Sequence, residues 1–231
     1  MMRPVVAVMA RAPSAFGKSR LIESLGVRDA EGLREALLRD TLDRLADIAV
    51  DKAVLYTPPH AVSEVQALIP FTGAVLPQRG DSLGDRMLAG IQDLLASGFD
   101  GVVLVGSDLP TLPATHVTGA VDALARSPNG LVLGPAEDGG YYLIGLNHPH
   151  SALFANIPWG TARVFSQTLT AAHSLGVPVT LLPTWYDVDT EADLRRVYDE
   201  SERGDGTARH TQAWLASAPP GVRSRVTRAP R

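Results

Sequence analysis

Three cations, Arg11, Lys18 and Arg20, crowd the segment Ala10-Arg11-Ala12-Pro13-Ser14-Ala15-Phe16-Gly17-Lys18-Ser19-Arg20, between an apolar run and a helical pattern. The chain holds only two lysines, so Lys18 is not one of a crowd. Backbone N–H groups at the start of a helix, joined by positive side chains, make an anion site, and phosphate is the anion such loops usually hold. A solvated basic turn is the plainer alternative. Ala12 to Ser19 also comes close to a Walker A loop, with Gly17-Lys18-Ser19 in place but alanine where the first glycine belongs. That glycine allows the backbone to turn around the phosphates, and Ala12, Pro13 and Phe16 stand against the turn. Val105-Gly106-Ser107-Asp108 would be the matching Walker B strand.

Carboxylates supply the opposite charge. Asp108 ends the apolar run Val102 to Val105 and is followed by Leu109-Pro110, which stops a strand. A hard divalent cation takes one or two such carboxylates plus phosphate oxygens. The alternative is a cap for the helix after Pro113. Glu137-Asp138-Gly139-Gly140 precedes Tyr141-Tyr142, glycines that admit a ligand and aromatics able to stack on a base or sugar, or else a hairpin turn with core tyrosines. In Asp187-Val188-Asp189-Thr190, extended chain would point both carboxylates the same way, unless Asp189 caps the helix that follows. The six histidines show no i, i+4 metal pairing on a helical segment, and no Gly-x-Gly-x-x-Gly fingerprint occurs.

These residues need elements to hold them. Short apolar runs at Val5–Met9, Ala53–Tyr56, Gly73–Leu76, Val102–Val105, Leu131–Leu133, Tyr141–Leu146 and Val179–Leu182 read as strands, several too uniformly apolar to leave a face in water. Helical patterns alternate with them. Leu33, Leu37, Leu38, Leu42, Leu45 and Ala49 follow Asp29, a candidate N-cap, and Leu83, Met87, Leu88, Ile91, Leu94 and Leu95 follow the capping box Ser82–Asp85. Further helices are expected over about 114–126, 161–175 and 190–203. The alternation predicts an α/β fold with a mostly parallel sheet and helices on both faces. Ligands then belong at the carboxyl ends of the strands, where all four polar segments fall.

The whole chain has 231 residues, 45% hydrophobic and 20% charged, with no cysteine. Disulfide scaffolds, thiolate metal sites and cysteine nucleophiles are thereby excluded. A net charge of −4 gives no reason to bind nucleic acid, and no apolar run reaches the roughly 18 to 20 residues of a membrane span. A soluble, cytoplasmic protein is expected. Residues 1–203 read as one nucleotide-binding domain. Residues 204–231, with Arg223, Arg225, Arg228 and Arg231 and no acid after residue 217, read as a short helix and a flexible basic tail.

Taken in order, Ala10-Arg11-Ala12-Pro13, Gly17 to Leu21, Gly80-Asp81-Ser82-Leu83-Gly84-Asp85-Arg86-Met87, Gly106 to Pro110, Gly134 to Tyr142, Pro158-Trp159-Gly160-Thr161 and Asp187 to Thr190 resemble a bacterial glycosyltransferase-A-like family related to 2-phospholactate and molybdenum cofactor guanylyltransferases. The likeness spans about residues 5 to 200, and Glu137 to Tyr142 is its most specific piece. It implies a nucleotide-diphospho-sugar-transferase (GT-A) fold and a divalent-metal-dependent transferase using Mg²⁺ or Mn²⁺. By that likeness Ala10, Arg11, Pro13, Lys18 and Arg20 hold the donor, with Gly80, Leu83, Gly84 and Arg86 near its base and Ser107 beside it. Asp108 is the first metal ligand, and Asp187 or Asp189 supplies the second. Glu137, Asp138, Gly139, Gly140, Tyr141, Trp159 and Thr161 face a small-molecule acceptor. The first loop departs from the family form, since Ala15-Phe16-Gly17 stands where a proline-glycine pair and one more residue usually precede the lysine. The implied reaction is nucleotidyl transfer from a nucleoside triphosphate to a phosphorylated acceptor, with Asp108, Lys18 and Asp138 as catalytic residues. The alternatives are glycosyl transfer with Asp138 as base, a P-loop NTPase, and a nucleotide-binding protein without turnover.

Overall fold

The computed structural model describes residues 2–15, 25, 27–203 and 207–227. Seven strands form one sheet: β1 (Pro4–Arg11), β2 (Asp51–Thr57), β3 (Ala74–Pro77), β4 (Gly101–Val105), β5 (Leu131–Pro135), β6 (Tyr141–Leu146) and β7 (Val179–Leu181), in the order β3-β2-β1-β4-β6-β5-β7. All pair in parallel except β6, which runs antiparallel between β4 and β5. The mixed, mostly parallel sheet expected from the alternation is therefore present, and each expected strand lies within two residues of an observed one.

Because side chains alternate along a strand, the sheet builds a core on each face. Val6, Val8, Val54, Val103 and Val132 meet α1 (Val27–Ala46) through Leu38, Leu42 and Leu45, and α4 (Ala114–Arg126) through Val117, Ala120 and Leu124. Val5, Ala7, Leu55, Leu104, Leu133 and Ile144 meet α3 (Leu83–Ala96) through Met87, Ile91 and Leu94, and α5 (Val164–Ser174) through Ala172. A short α2 (Val62–Gln66) adds Val65 to the first face.

Three candidate caps, the expected one at Asp29 and the alternatives weighed for Asp108 and Asp189, are not the caps found. Asp29 sits inside the first turn of α1, which begins at Val27. The N-cap of α4 is Pro113, without a side-chain bond, so Asp108 does not cap that helix. Thr190, not Asp189, caps α6 (Glu191–Glu202) through a capping box with Asp193. The box at Ser82 and Asp85 starts α3 as expected.

The end of the chain also differs. After residue 203 the described part holds two helices, α7 (Arg209–Ser217) and α8 (Pro220–Thr227), where one short helix and a flexible tail are expected. Leu215, Val222 and Val226 are buried with Leu33 and Leu37 of α1 and with Leu194 and Val197 of α6. Val222 and Val226 are an i, i+4 pair, too sparse a stripe to announce a helix without the surface that receives it. Arg195 donates to the carbonyls of Arg225 and Val226, and Arg225 pairs with Glu191 at 2.9 Å. Arg228 and Arg231 lie outside the described residues. None of the described helices is long and apolar enough to cross a membrane.

Candidate active site

At the carboxyl ends of β1 and β4, beside the amino end of the antiparallel β6, two cavities adjoin, sharing Met9, Leu83, Ser107, Asp108 and Asp189 on their walls. The smaller, about 290 Å³, lies over β1 and β2 and contains Arg11, Arg34, Gln78 and Arg86. The larger, about 810 Å³, lies over β4 and β6 and contains Glu137, Asp138, Gly140, Tyr141, Trp159, Thr161 and Asp187.

The acids come together through backbone pairing. The Val188 N–H donates to the Asp108 carbonyl at 3.0 Å, which lays the 187–189 segment beside the end of β4. Val188 is 2% exposed and turned into the core, so its two neighbours project toward the larger cavity. Carboxylate oxygens of Asp138, Asp187 and Asp189 lie within 4.8 Å of one another. Asp138 joins that trio from the β5–β6 turn, where its Oδ1 also accepts the Gly140 N–H at 2.8 Å. Asp108 stands next to the trio as an electrostatic neighbour of both Asp187 and Asp189. Burial, reinforced by the Asp189 charge, lifts Asp108 to about 6 against the pull of the Ser107 hydroxyl, Arg11 and Arg34. Asp187 rises to about 7 through burial and then the charges of Asp189, Asp138 and Asp108. Carboxyls held this close are charged together at little cost only beside a cation, and hard oxygen donors in this number suit a divalent ion.

The turn carrying Asp138 depends on Gly139, whose φ is +89° and where a Cβ would stand 2.3 Å from the Ala162 carbonyl oxygen. Only glycine admits that approach. Its carbonyl accepts the Phe165 N–H at 2.9 Å, tying the turn to α5. Glu137 turns to Arg196, with Nη1 at 2.8 Å, and the Arg196 guanidinium stacks 3.7 Å above the Tyr186 ring.

On the opposite wall, Trp159 lies edge-on to Tyr141, with centroids 6.3 Å apart, and closes against Gly84. Leu83 is 48% exposed and borders both cavities. Arg86 Nε donates to the Gly80 carbonyl at 3.0 Å. Thr161 bonds within its own loop, donating to the Pro158 carbonyl at 2.8 Å. Tyr142, read from sequence as a stacking candidate beside Tyr141, is instead core, its hydroxyl bonded to His116 and to the Pro183 carbonyl. That is the hairpin alternative: alternation along β6 packs Tyr142 into the core on one face of the sheet and Tyr141 against the core on the other, while both residues border the larger cavity.

Of the first-loop residues, Ala10 is fully buried in β1, Arg11 faces the smaller cavity, and the Pro13 carbonyl accepts two bonds from Arg34, at 3.0 and 2.7 Å. Lys18 and Arg20 lie outside the described residues. Arg34, which the motif reading omits, has its Nη1 buried and without a hydrogen-bond partner among the described residues, and it lines the cavity that Arg11 and Asp108 share. Its signal was an arginine on the α1 face shared with Leu37, Leu38 and Thr41, at helical spacing inside an otherwise apolar stripe. Thr41 was missed likewise: its buried hydroxyl lies 2.9 Å from the Ser107 carbonyl and accepts the Leu109 N–H at 3.0 Å, bracing the turn that carries Asp108.

A mixed sheet of this order, with cations and clustered acids facing one another across its carboxyl edge, defines a transferase of the nucleotide-diphospho-sugar-transferase fold, nucleotidyl or glycosyl in class. The chain belongs to the family described as "Uncharacterized protein conserved in bacteria (DUF2064)", whose profile matches residues 41–161. A phosphoenolpyruvate guanylyltransferase of Sphaerobacter thermophilus is 31% identical over 186 residues, 78% of this chain and 86% of that one. A 2-phospho-L-lactate guanylyltransferase of Methanothermobacter thermautotrophicus is 27% identical over 201 residues, 86% and 83% of the two chains. The crystal structure of a protein described as a nucleotide-diphospho-sugar transferase, from Desulfovibrio desulfuricans, superposes with a TM-score of 0.86 at 31% identity, covering 97% of this chain and 99% of that one.

Proposed function

We propose that this protein transfers a nucleotidyl group, guanylyl by its similarity to the two guanylyltransferases, from a nucleoside triphosphate to a small phosphorylated acceptor in the presence of Mg²⁺ or Mn²⁺. The observation that carries the reading is the meeting of Asp138, Asp187 and Asp189 within 4.8 Å, beside Asp108 and at the seam between a cavity with arginines and a larger one with acids.

The donor's phosphates belong in the smaller cavity, where Arg11 and Arg34 offset their charge, with Lys18 and Arg20 assigned to the same task from sequence. The acceptor belongs in the larger cavity beside Tyr141, Trp159 and Thr161. An oxygen of the acceptor phosphate attacks the α-phosphorus; a new P–O bond forms, the bond to the bridging oxygen breaks, and pyrophosphate leaves with that electron pair. An ionised acceptor gives up no proton in this step, so no strong base is required. Asp138, Asp187 and Asp189, with Asp108 alongside, would hold the divalent ion. When bound, that ion offsets negative charge on the phosphates. The protein's own work is alignment: a fixed 187–189 segment, a braced Asp108 turn and a glycine turn that cannot relax.

Glycosyl transfer is the second reading, favoured by Asp138, which lines the larger cavity in position to take a proton from an acceptor hydroxyl. The Walker reading has no support in a sheet whose β6 is antiparallel and whose likeness is to the nucleotide-diphospho-sugar-transferase fold. The test is product identity: the protein, Mg²⁺, each nucleoside triphosphate or sugar nucleotide, and a panel of phosphorylated and hydroxylated acceptors. Pyrophosphate supports the first reading. Nucleoside diphosphate from a sugar nucleotide supports the second, and nucleotide-dependent thermal stabilisation without product supports a non-catalytic binder.

A further inference from the structure

Gln78 follows β3 and continues its ladder, its backbone N–H donating to the Tyr56 carbonyl at 2.7 Å. Its side chain reaches across the end of β2 to β1. There Nε2 donates to the carbonyls of Leu55 at 2.8 Å and Ala10 at 3.1 Å. Both partners are acceptors only, so the amide has one allowed orientation; rotating it by half a turn would set Oε1 against two carbonyl oxygens. Both Nε2 hydrogens are thereby used, and Oε1 has no hydrogen-bond partner among the described residues.

Gln78 forms part of the wall of the smaller cavity together with Thr57, Leu83 and Arg86. Arg86 spends its Nε on the Gly80 carbonyl and can offer its remaining N–H groups. The wall thus combines an acceptor that cannot turn into a donor with a cation that can only donate. The ligand edge complementary to this pair carries N–H groups beside a carbonyl oxygen. Guanine presents N1–H and the 2-amino group beside O6, whereas adenine presents a lone pair at N1 where guanine has its N–H.

We propose that Gln78 is a specificity-determining residue for the donor base, its Oε1 accepting from the N1–H and 2-amino edge of guanine. This rests on the nucleotide-transfer reading but names a residue and a base edge that reading does not require. Inosine nucleotides test it, because they keep O6 and N1–H and lack only the 2-amino group.

The experiment compares GTP, ITP and ATP as donors for the wild-type protein and for Gln78→Met, which keeps the side chain's length and loses the acceptor. The wild type should favour GTP over ITP by about tenfold in kcat/KM, the scale of one neutral hydrogen bond, and over ATP by more. In Gln78→Met the GTP-to-ITP ratio should fall to within about twofold of one. A purely structural role for Gln78 would lower all donors together and leave the ratio alone, which would overturn the proposal. Equal use of GTP and ITP by the wild type, or a preference for ATP, would overturn it without any variant. Thermal stabilisation by GDP against IDP, each with Mg²⁺, provides a readout independent of turnover. A GDP preference lost in Gln78→Met supports the base contact even where no pyrophosphate forms, so failure of the reaction and failure of the contact are told apart.

Discussion

The Val188 N–H and the Asp108 carbonyl, 3.0 Å apart, join the end of β4 to the segment that precedes α6. This one backbone bond sets residues distant in sequence, Asp108 and the pair Asp187 and Asp189, around a common space. Since it uses main-chain atoms, Asp108→Ala should leave it in place. The expected outcome is a cooperative thermal transition close to wild type, loss of the stabilisation that Mg²⁺ with nucleotide confers, and an activity loss of about 100-fold or more. An unfolded Asp108→Ala protein would show that the side chain serves the fold.

Asp108 near 6 and Asp187 near 7 both titrate above their ordinary value of 3.8. The native state therefore holds protons that the unfolded chain has released, and without a divalent ion the stability contributed by these groups is complete below about pH 4 and is lost as pH rises through 6 and 7. Saturating Mg²⁺ should remove that loss, and Mg²⁺ affinity should rise over the same interval as the carboxyls ionise. Melting temperature against pH, with and without Mg²⁺, checks both. Curves that stay parallel from pH 5 to 8 would count against the carboxylate site.

Gly84 and Gly119 both lie in helices and invite opposite outcomes. A Cβ on Gly84 would stand 2.6 Å from the Trp159 ring, while one on Gly119 would meet only Leu182 Cδ2 at 3.8 Å, an ordinary contact. Gly119→Ala should stabilise by about 0.5–1 kcal/mol through helix propensity. Gly84→Ala should destabilise by about 1–3 kcal/mol and alter Trp159 fluorescence, because the ring cannot yield without disturbing Tyr141. Chemical denaturation of the two variants reads the sign directly.

Arg34 ties the Pro13 carbonyl to α1 with two bonds and lines the smaller cavity, its Nη1 buried and without a hydrogen-bond partner among the described residues. Arg34→Lys retains a charge but cannot make the two-pronged bond to the Pro13 carbonyl and still present a further N–H to the cavity. A fall of about 10- to 100-fold in kcat/KM for the nucleotide is expected, larger than the change in kcat/KM for the acceptor. Steady-state kinetics with each substrate varied in turn checks the asymmetry, and equal losses for both would assign Arg34 a general structural role.

Asp40 of α1 is 2% exposed and receives the N-terminus of α7, accepting from the His210 N–H at 2.9 Å, the Thr211 N–H at 2.8 Å and the Thr211 hydroxyl at 2.6 Å. Desolvation raises its pKa in spite of those three bonds. Asp40→Ala removes the acceptor from two buried donors and a part-buried one and should cost about 2–4 kcal/mol, read from chemical denaturation. Truncation after residue 203 should do more, since it bares Leu33, Leu37, Leu194 and Val197. A truncated chain with unchanged stability would return the C-terminal segment to the role of an appendage.

Much of the architecture was legible in the residues. Uniformly apolar runs such as Val102 to Val105 marked central strands because both faces of such a sheet are covered, and the Ser82 and Asp85 pair marked a helix start because a capping box is local chemistry. The acids Asp108, Asp138, Asp187 and Asp189 could be nominated for the same kind of reason: each follows a strand, where ligands gather. Helix α8 was not legible, since two valines among arginines bury nothing until α6 receives them. Arg34 and Gln78 were hidden for a related reason. An arginine on an apolar helix face and a glutamine after an edge strand acquire meaning only from the Pro13, Leu55 and Ala10 carbonyls they reach.

What the chain alone determined was the inventory and the order: alternating strands and helices, loops of one charge and loops of the other, no cysteine chemistry and no apolar run long enough for a membrane helix. Periodicity and capping act over a few residues, so they are written in neighbouring letters. Tertiary structure alone decided that Asp138 completes the trio with Asp187 and Asp189, that Asp108 stands beside it, and that two carbonyls fix the Gln78 amide on the wall of the smaller cavity. Those are distances between atoms far apart along the chain, and they exist only once strand pairing and packing have closed the loops between them.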